Sequence, residues 1–357
     1  MEEVEEKYMA RCIALARHGA GMVSPNPMVG AVIVHKGKII GEGYHRKYGE
    51  CHAEVNAIAS VKEASLLKEA TLYVNLEPCA HYGKTPPCAG LIIEKGIPRV
   101  VIGVMDPYPE VSGRGIAMLR EAGVAVTAGV MEKEAYTLNR SFMASQTLKR
   151  PYIVLKWAQS ADGMMDRVRE DASTPPAALS SPGIIQRIHK QRAETDAIMI
   201  GTRTALLDNP SLTVRHWAGK SPVRVILDRD LRIPPGYHVL DGRVRTLVFT
   251  GREKESAGLT EYIRIDYDCP VIPQVLSHLF AHRLNSLMVE GGAHLLRSFL
   301  QEEIWDEIQV ETTPVHLGNK GVQAPDIAWQ HHPALHHIET IHTETAQHYI
   351  TSYIRRH

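Results

Sequence analysis

The chain has no surplus of charge of either sign. Lysine plus arginine and aspartate plus glutamate both number 40, which removes the bulk electrostatic reason for binding nucleic acid or an anionic membrane. A small-molecule partner is favoured. No apolar run approaches the roughly 18 residues that a membrane span requires. The stretch Met1-Glu2-Glu3-Val4-Glu5-Glu6-Lys7 is acidic and lacks the basic and apolar regions of a signal peptide, so the expectation is a cytoplasmic protein. Cysteine is scarce, with 5 in 357 residues. An odd count in a reducing compartment argues against a disulfide framework. Cys12, on the apolar side of a helical pattern, and Cys51 and Cys269 read as small buried or incidental thiols. Cys79 and Cys88 are the pair that needs explaining.

With 44% hydrophobic and 22% charged residues there is ample material for packed cores, and the length exceeds that of one usual domain. Residues 3–18 carry a helical apolar pattern stopped by Gly19 and Gly21. After the rigid turn Ser24-Pro25-Asn26-Pro27, Val29 to Val34 and Ile39 to Gly43 read as a hairpin. Further elements follow in the order α-β-α-β-α-β, which predicts a sheet covered by helices. A polar helical stretch from Glu132 to Leu148 leads to Lys149-Arg150-Pro151, a linker that divides the chain into domains 1–148 and 149–357. In the second domain, strands at Tyr152 to Ala158, Ala197 to Ile200, Val223 to Leu227, Thr246 to Thr250 and Leu287 to Glu290 recur between helices. Ser180-Ser181-Pro182 is placed to cap one of those helices.

The chemistry concentrates in residues 52–88. His52-Ala53-Glu54 is followed, after a strand-like stretch, by Pro78-Cys79 and then by Cys88. One imidazole and two thiols form a zinc set of three protein ligands, the number that leaves a fourth position for a catalytic water. His52 opens a helix, and Cys79 lies where a strand gives way to another helix N-terminus, whose dipole favours thiolate. Glu54, two residues from His52 on a helix, belongs beside the metal rather than on it, as the proton carrier between water and a departing amine. A closed structural zinc site is the alternative, with His81 the nearby fourth ligand. The pattern is that of the zinc deaminases.

Eight residues separate the cysteines where two are common in deaminases of nucleosides and nucleic-acid bases. His-Ala-Glu with Pro-Cys-x-His-x-Gly-Lys-Thr-Pro-Pro-Cys resembles the deaminase half of the bifunctional riboflavin-biosynthesis deaminase-reductases, which act on a diaminopyrimidinone carrying ribose 5-phosphate. The likeness extends to Ser24-Pro25-Asn26-Pro27-Met28-Val29-Gly30, Gly41-Glu42-Gly43-Tyr44-His45 and Asp106-Pro107. It implies that His52, Cys79 and Cys88 hold Zn2+, that Asn26 and His45 contact substrate, and that Lys84 holds its phosphate or ribose. In the second half, Lys156-Trp157-Ala158-Gln159-Ser160-Ala161-Asp162-Gly163, Gly201-Thr202-Arg203-Thr204, Asp208-Asn209-Pro210-Ser211-Leu212-Thr213-Val214-Arg215 and Val289-Glu290-Gly291-Gly292-Ala293-His294 resemble the reductase half in the same order. The implied architecture is a cytidine deaminase-like α/β/α domain followed by a dihydrofolate reductase-like α/β domain. By that likeness Ala158, Thr204, Asp208 and the run from Gly292 face NADPH, while Arg192, Leu212, Arg215 and Glu290 face the substrate, with the arginines on its phosphate. A homo-oligomer is expected.

One segment departs from the pattern. Between Gly163 and Ser181 the family carries a short stretch containing tryptophan, whereas this chain reads Met164-Met165-Asp166-Arg167-Val168-Arg169-Glu170-Asp171-Ala172-Ser173-Thr174-Pro175-Pro176-Ala177-Ala178. Contacts from that loop are therefore not carried over, and a deaminase whose second half does not reduce is one alternative. A nucleic-acid base deaminase and a zinc-stapled nucleotide-binding module are two others. The histidines between 331 and 348 are irregularly spaced and read as polar surface.

Overall fold

The computed structural model describes residues 2–80, 87–108, 112–326, 335–342 and 348–355. Two compact units comprise residues Met1–Arg150 and Pro151–His357, and each is built around its own sheet.

The first unit runs α1 (Glu2–Ala16), β1 (Gly30–His35), β2 (Lys38–Tyr44), α2 (Ala53–Ala59), β3 (Thr71–Leu76), α3 (Cys88–Glu94), β4 (Arg99–Val104), α4 (Arg114–Glu121), β5 (Ala125–Ala128), α5 (Glu132–Leu138) and α6 (Arg140–Leu148). Its sheet has the order β2-β1-β3-β4-β5. Here β1 is antiparallel to both β2 and β3, and β3, β4 and β5 are parallel. Alternate residues of β1 enter different cores. Ala31 and Ile33 pack with Ala53, Ala57, Ile92 and Leu119 beneath α2, α3 and α4, whereas Val32 and Val34 pack with Met9, Cys12 and Ala135 beneath α1 and α5. Both faces are covered, so the strand reads as an unbroken apolar run rather than an alternating one.

Three local expectations change. The helix anticipated over 132–148 is broken at Asn139, whose side chain is hydrogen-bonded to the backbone of Met28. The helix anticipated over 52–61 is α2, confined to Ala53–Ala59, with His52 as its N-cap rather than its first residue. Cys79 does not start a helix: β3 ends at Leu76, and α3 begins only after Pro87, with Cys88 as its first residue.

The second unit runs β6 (Tyr152–Gln159), β7 (Met164–Arg167), α7 (Pro182–Ala193), β8 (Ala197–Gly201), α8 (Thr202–Asp208), β9 (Val223–Leu227), β10 (Thr246–Thr250), β11 (Thr260–Arg264), α9 (Val271–Ala281), β12 (Ser286–Val289), α10 (Ala293–Gln301), β13 (Glu307–Thr312), β14 (Gly321–Gln323), β15 (Leu335–His342) and β16 (Tyr349–Arg355). Among the described residues nine strands form one sheet, ordered β11-β10-β9-β8-β12-β6-β13-β16-β15. The first seven in that order are parallel, and the last two add an antiparallel edge. Trp157, Phe249, Phe299 and Trp305 fill the core on one face; Ile198, Ile200, Ile226 and Val248 fill it on the other.

Strand β13 escapes a hydrophobicity reading because Glu307 and Glu311 interrupt it, yet both are buried. Tyr152 Oη donates to Glu307 at 3.1 Å, and Ser180 Oγ donates to Glu311 at 2.7 Å. Ser180 is thus engaged away from the following helix, and Ser181, the N-cap of α7, makes no side-chain cap bond. His348 is not polar surface: it is buried, with Nε2 2.9 Å from Glu311 Oε1.

Gly30 shows how tightly α1 is seated on β1. A Cβ there would lie 2.1 Å from the Cys12 carbonyl oxygen and 2.8 Å from the Ala16 nitrogen. Gly30→Ala should destabilise the first unit by about 1–3 kcal/mol, read as a lower midpoint in denaturant unfolding. An unchanged midpoint would show that the helix can move away without cost.

Candidate active site

His52, Cys79 and Cys88 come from three positions set by the first unit's sheet: the start of α2, the segment after β3 and the start of α3. Their candidate donor atoms lie within 4.8 Å of one another. His52 Nδ1 is 3.7 Å from Cys79 Sγ and 3.4 Å from Cys88 Sγ. Tetrahedral zinc with ordinary Zn–N and Zn–S bonds would separate nitrogen from sulfur by about 3.6 Å, so the donor set fits zinc in both type and spacing. A hydrogen bond from Cys88 holds the Cys79 thiol down at about 4, and the same bond pushes Cys88 up. The backbone N–H of Cys88 donates to Cys79 Sγ at 3.3 Å and further favours its anionic form.

Glu54 lies in the first turn of α2 and is 3% exposed. Burial, reinforced by the charge of Cys79, pushes its carboxyl up to about 7. That value suits a group that must both take and return a proton near neutral pH.

Asn26 and His45 meet beside this set. Asn26 Nδ2 is 3.2 Å from His45 Nε2, and His45 Nδ1 is 3.0 Å from the Cys51 carbonyl. The network assigns Nδ1 as the donor to that carbonyl and Nε2 as the acceptor from Asn26. Burial lowers the His45 pKa, which agrees with a neutral ring. Its ring centroid is 5.5 Å from that of His52. Lys84 and His81 lie outside the described residues.

A supporting layer was not legible from sequence. The Glu77 carboxylate accepts from the backbone N–H groups of Asp106, Gly113 and Ile116. It thereby ties the residue before Pro78-Cys79 to the β4–α4 connection. A Cβ on Gly115 would lie 2.0 Å from the Pro78 oxygen, so α4 rests directly on the cysteine loop.

In the second unit, two of the four residues expected at the cofactor, Thr204 and Gly292, meet. Gly292 has φ +61°, and a Cβ there would lie 2.9 Å from Thr204 Oγ1, so the turn after β12 meets the first turns of α8. Ala158 is half-buried near the end of β6. Asp208, at the end of α8, is instead engaged by Arg169. The buried Arg169 guanidinium also bonds Asp166 at 2.7 Å and the carbonyls of Thr174 and Leu207. It closes the 164–178 segment on itself and onto α8.

Among the residues expected at the substrate, Arg192 and Glu290 form a two-point ion pair, with Nε–Oε1 at 3.1 Å and Nη2–Oε2 at 2.5 Å. Leu212 has φ +52° and its side chain packs in the core, which leaves its backbone as the part able to face a ligand. Arg215 is anchored through its backbone N–H, which donates to His189 Nδ1 at 2.9 Å. Its pKa is lowered by burial and then by the neighbouring charge of Arg192.

These units define a zinc-type pyrimidine deaminase joined to a dihydrofolate reductase-like reductase, and comparison with known proteins agrees. Residues 2–104 match the cytidine and deoxycytidylate deaminase zinc-binding region, and residues 151–346 match the RibD C-terminal domain. The chain is 40% identical over 335 residues to the riboflavin biosynthesis protein RibD of Aquifex aeolicus, covering 92% of this chain and 91% of that one. It is 42% identical to the RibD protein of Bacillus amyloliquefaciens, with 91% and 88% covered. Among solved structures it resembles the diaminohydroxyphosphoribosylaminopyrimidine deaminase/5-amino-6-(5-phosphoribosylamino)uracil reductase of Thermotoga maritima, with TM-score 0.88, 35% identity and 99% of each chain covered. It also resembles Acinetobacter baumannii RibD, with TM-score 0.89, 30% identity and 100% of each chain covered.

The chain belongs to the RibD family of riboflavin biosynthesis proteins. It is a bifunctional enzyme that carries the deaminase and reductase steps of that synthesis, with Zn2+ and NADPH as cofactors. The deaminase-only and zinc-module alternatives give way to this reading.

His189 supplies a pH test of the second unit. Burial first, then the charges of Arg192, Arg215 and His216, push its pKa down to about 4. The folded state holds the neutral ring. Its contribution is therefore complete above an unfolded-state pKa of about 6.5 and is lost as pH falls from there toward 4. The stability of wild type relative to His189→Asn, read from melting curves, should be greatest at neutral pH and fall as pH drops from about 6.5 toward 4. A wild-type advantage that grows in acid would reverse the assignment.

Proposed function

We propose that the deamination is carried out in residues 1–148 by Glu54 beside a zinc ion held by His52, Cys79 and Cys88, with substrate bound by Asn26, His45 and Lys84. The observation that carries this reading is the pairing of a three-donor set with a carboxyl that is 3% exposed in the first turn of the helix beginning beside His52. Zinc in such a set acts as a Lewis acid and brings the pKa of a water toward neutrality. Glu54 takes the water's proton and returns it to the departing amine. Asn26, fixed by its bond to His45, meets the polar edge of the diaminopyrimidinone, and Lys84 meets the ribose phosphate as a point charge.

Reduction is assigned to residues 149–357. When bound, NADPH would supply the hydride for reduction of the ring-opened ribosylamine to ribityl, the accompanying proton coming from solvent. Ala158, Thr204, Asp208 and Gly292 form the cofactor side; Arg192, Leu212, Arg215 and Glu290 form the substrate side. Asp208 acts there through Arg169, whose guanidinium it already holds. Glu290 aligns Arg192, and the two arginines meet the phosphate of the deaminated product. Holding the ring-opened sugar in line with the cofactor accounts for most of the rate, since little acid-base machinery is required.

The five free cysteines suit a reducing cytoplasm, to which we assign the enzyme. No described helix is long and apolar enough to cross a membrane. We assign a homo-oligomer, which light scattering would register as a mass above the 39.7 kDa of one chain.

Glu54→Gln and Cys79→Ser separate the roles. Glu54→Gln should retain zinc and lose ammonia release by about 10²- to 10⁴-fold, whereas Cys79→Ser should lose zinc as well. Both should still oxidise NADPH when given the deaminated intermediate. Ammonia release by Glu54→Gln at the wild-type rate would remove Glu54 from the mechanism.

A further inference from the structure

Asn139 lies well beyond residues 2–104, where the zinc-binding region is matched, yet its side chain reaches back to the deaminase site. It is 3% exposed. Its Oδ1 accepts from Met28 N–H at 2.8 Å, and its Nδ2 donates to the Met28 carbonyl at 2.8 Å. Asn75 completes the clamp: its Nδ2 donates to the same carbonyl at 3.1 Å, and its Oδ1 accepts from Gly30 N–H at 2.7 Å. Met28 precedes β1, so two asparagine side chains supply the partners that a strand ladder would otherwise provide.

The geometry has a local cost. Asn139 is the N-cap of α6, a position where asparagine is favoured because its side chain can bond the helix's own amides. No such cap bond forms. The side chain is used 111 residues away in sequence instead. Two residues before Met28, Asn26 meets His45 at 3.2 Å, and the His45 ring lies beside that of His52.

We propose that Asn139 is a positioning residue for deamination: by holding the Met28 backbone it fixes the turn that presents Asn26 to the pyrimidine. The inference rests on the substrate role given to Asn26 above. The segment after the catalytic α/β layers therefore completes the deaminase site as well as leading onward to residue 151.

The test compares Asn139→Ala, Asn139→Asp, Asn26→Ala and the double alanine variant in the full-length zinc-loaded enzyme. Ammonia release is followed against concentration of the diaminopyrimidinone ribose phosphate, alongside zinc content and NADPH oxidation with the deaminated intermediate. Asn139→Ala removes both bonds to Met28, of which Asn75 still covers the carbonyl, and should raise the deaminase KM about tenfold, the scale of one net buried hydrogen bond, with kcat changed by less than about twofold. Zinc content and reduction should stay at wild-type levels. Asn139→Asp keeps the acceptor for Met28 N–H but turns a buried carboxylate oxygen toward the Met28 carbonyl in place of a donor, and should be at least as impaired as Asn139→Ala. The double variant should be no worse than Asn26→Ala, because the two residues act in series. The proposal is overturned if Asn139→Ala leaves KM unchanged while Asn26→Ala raises it, if the two effects multiply, or if Asn139→Ala loses zinc and kcat together as a folding defect would. An unchanged KM in Asn26→Ala would overturn the substrate role of Asn26 and the positioning role with it.

Discussion

The first unit depends on the convergence of one imidazole and two thiols inside a protein interior. Cys88 is buried, Cys79 and His52 are half-buried, and a buried carboxyl stands beside them. Groups of this kind are costly to bury unless a cation balances them. Two thiolates and a neutral imidazole balance a divalent ion and leave a coordination position open. The sheet makes the convergence possible: β3 delivers Cys79, and α2 and α3 each begin at their ligand.

The surrounding structure keeps those starting points in place. Glu77 binds three backbone amides of the β4–α4 connection, α4 rests on Pro78 so closely that only glycine fits at 115, and Asn75 and Asn139 hold the approach to β1. None of these residues need touch substrate. They convert a flexible set of loops into a site of fixed spacing, which is what a second layer of hydrogen bonds does for a metal centre. The second unit reaches a similar end with ion pairs between Arg169 and Asp208 and between Arg192 and Glu290, and with the contact between His348 and Glu311, each joining segments distant in sequence.

Much of this was legible beforehand because it is encoded locally. His-x-Glu, the paired cysteines and the order of helices and strands depend on spacing and periodicity, and the α/β alternation follows from them; the architecture of each unit was implied by the family resemblance. What could not be read is encoded over long distances. Nothing near Asn139 signals a bond to Met28, and a polar run over 132–148 does not announce a break. The strand Glu307–Thr312 looks polar because its two glutamates find partners only once Tyr152, Ser180 and His348 have arrived. Asp208 illustrates the same limit: family likeness turns it toward the cofactor, while the divergent 164–178 segment supplies the arginine that takes it up. Cys79 does not lie at a helix start because α3 begins only at Cys88, after Pro87.

X-ray absorption at the zinc edge of the purified enzyme tests the central claim most directly, since it counts donors by element. The result expected is two sulfur atoms at about 2.3 Å with two light atoms at about 2.0 Å, one of them showing the outer-shell scattering of a single imidazole and the other being solvent oxygen. A second imidazole, a third sulfur or the absence of bound zinc would contradict an open site built from His52, Cys79 and Cys88.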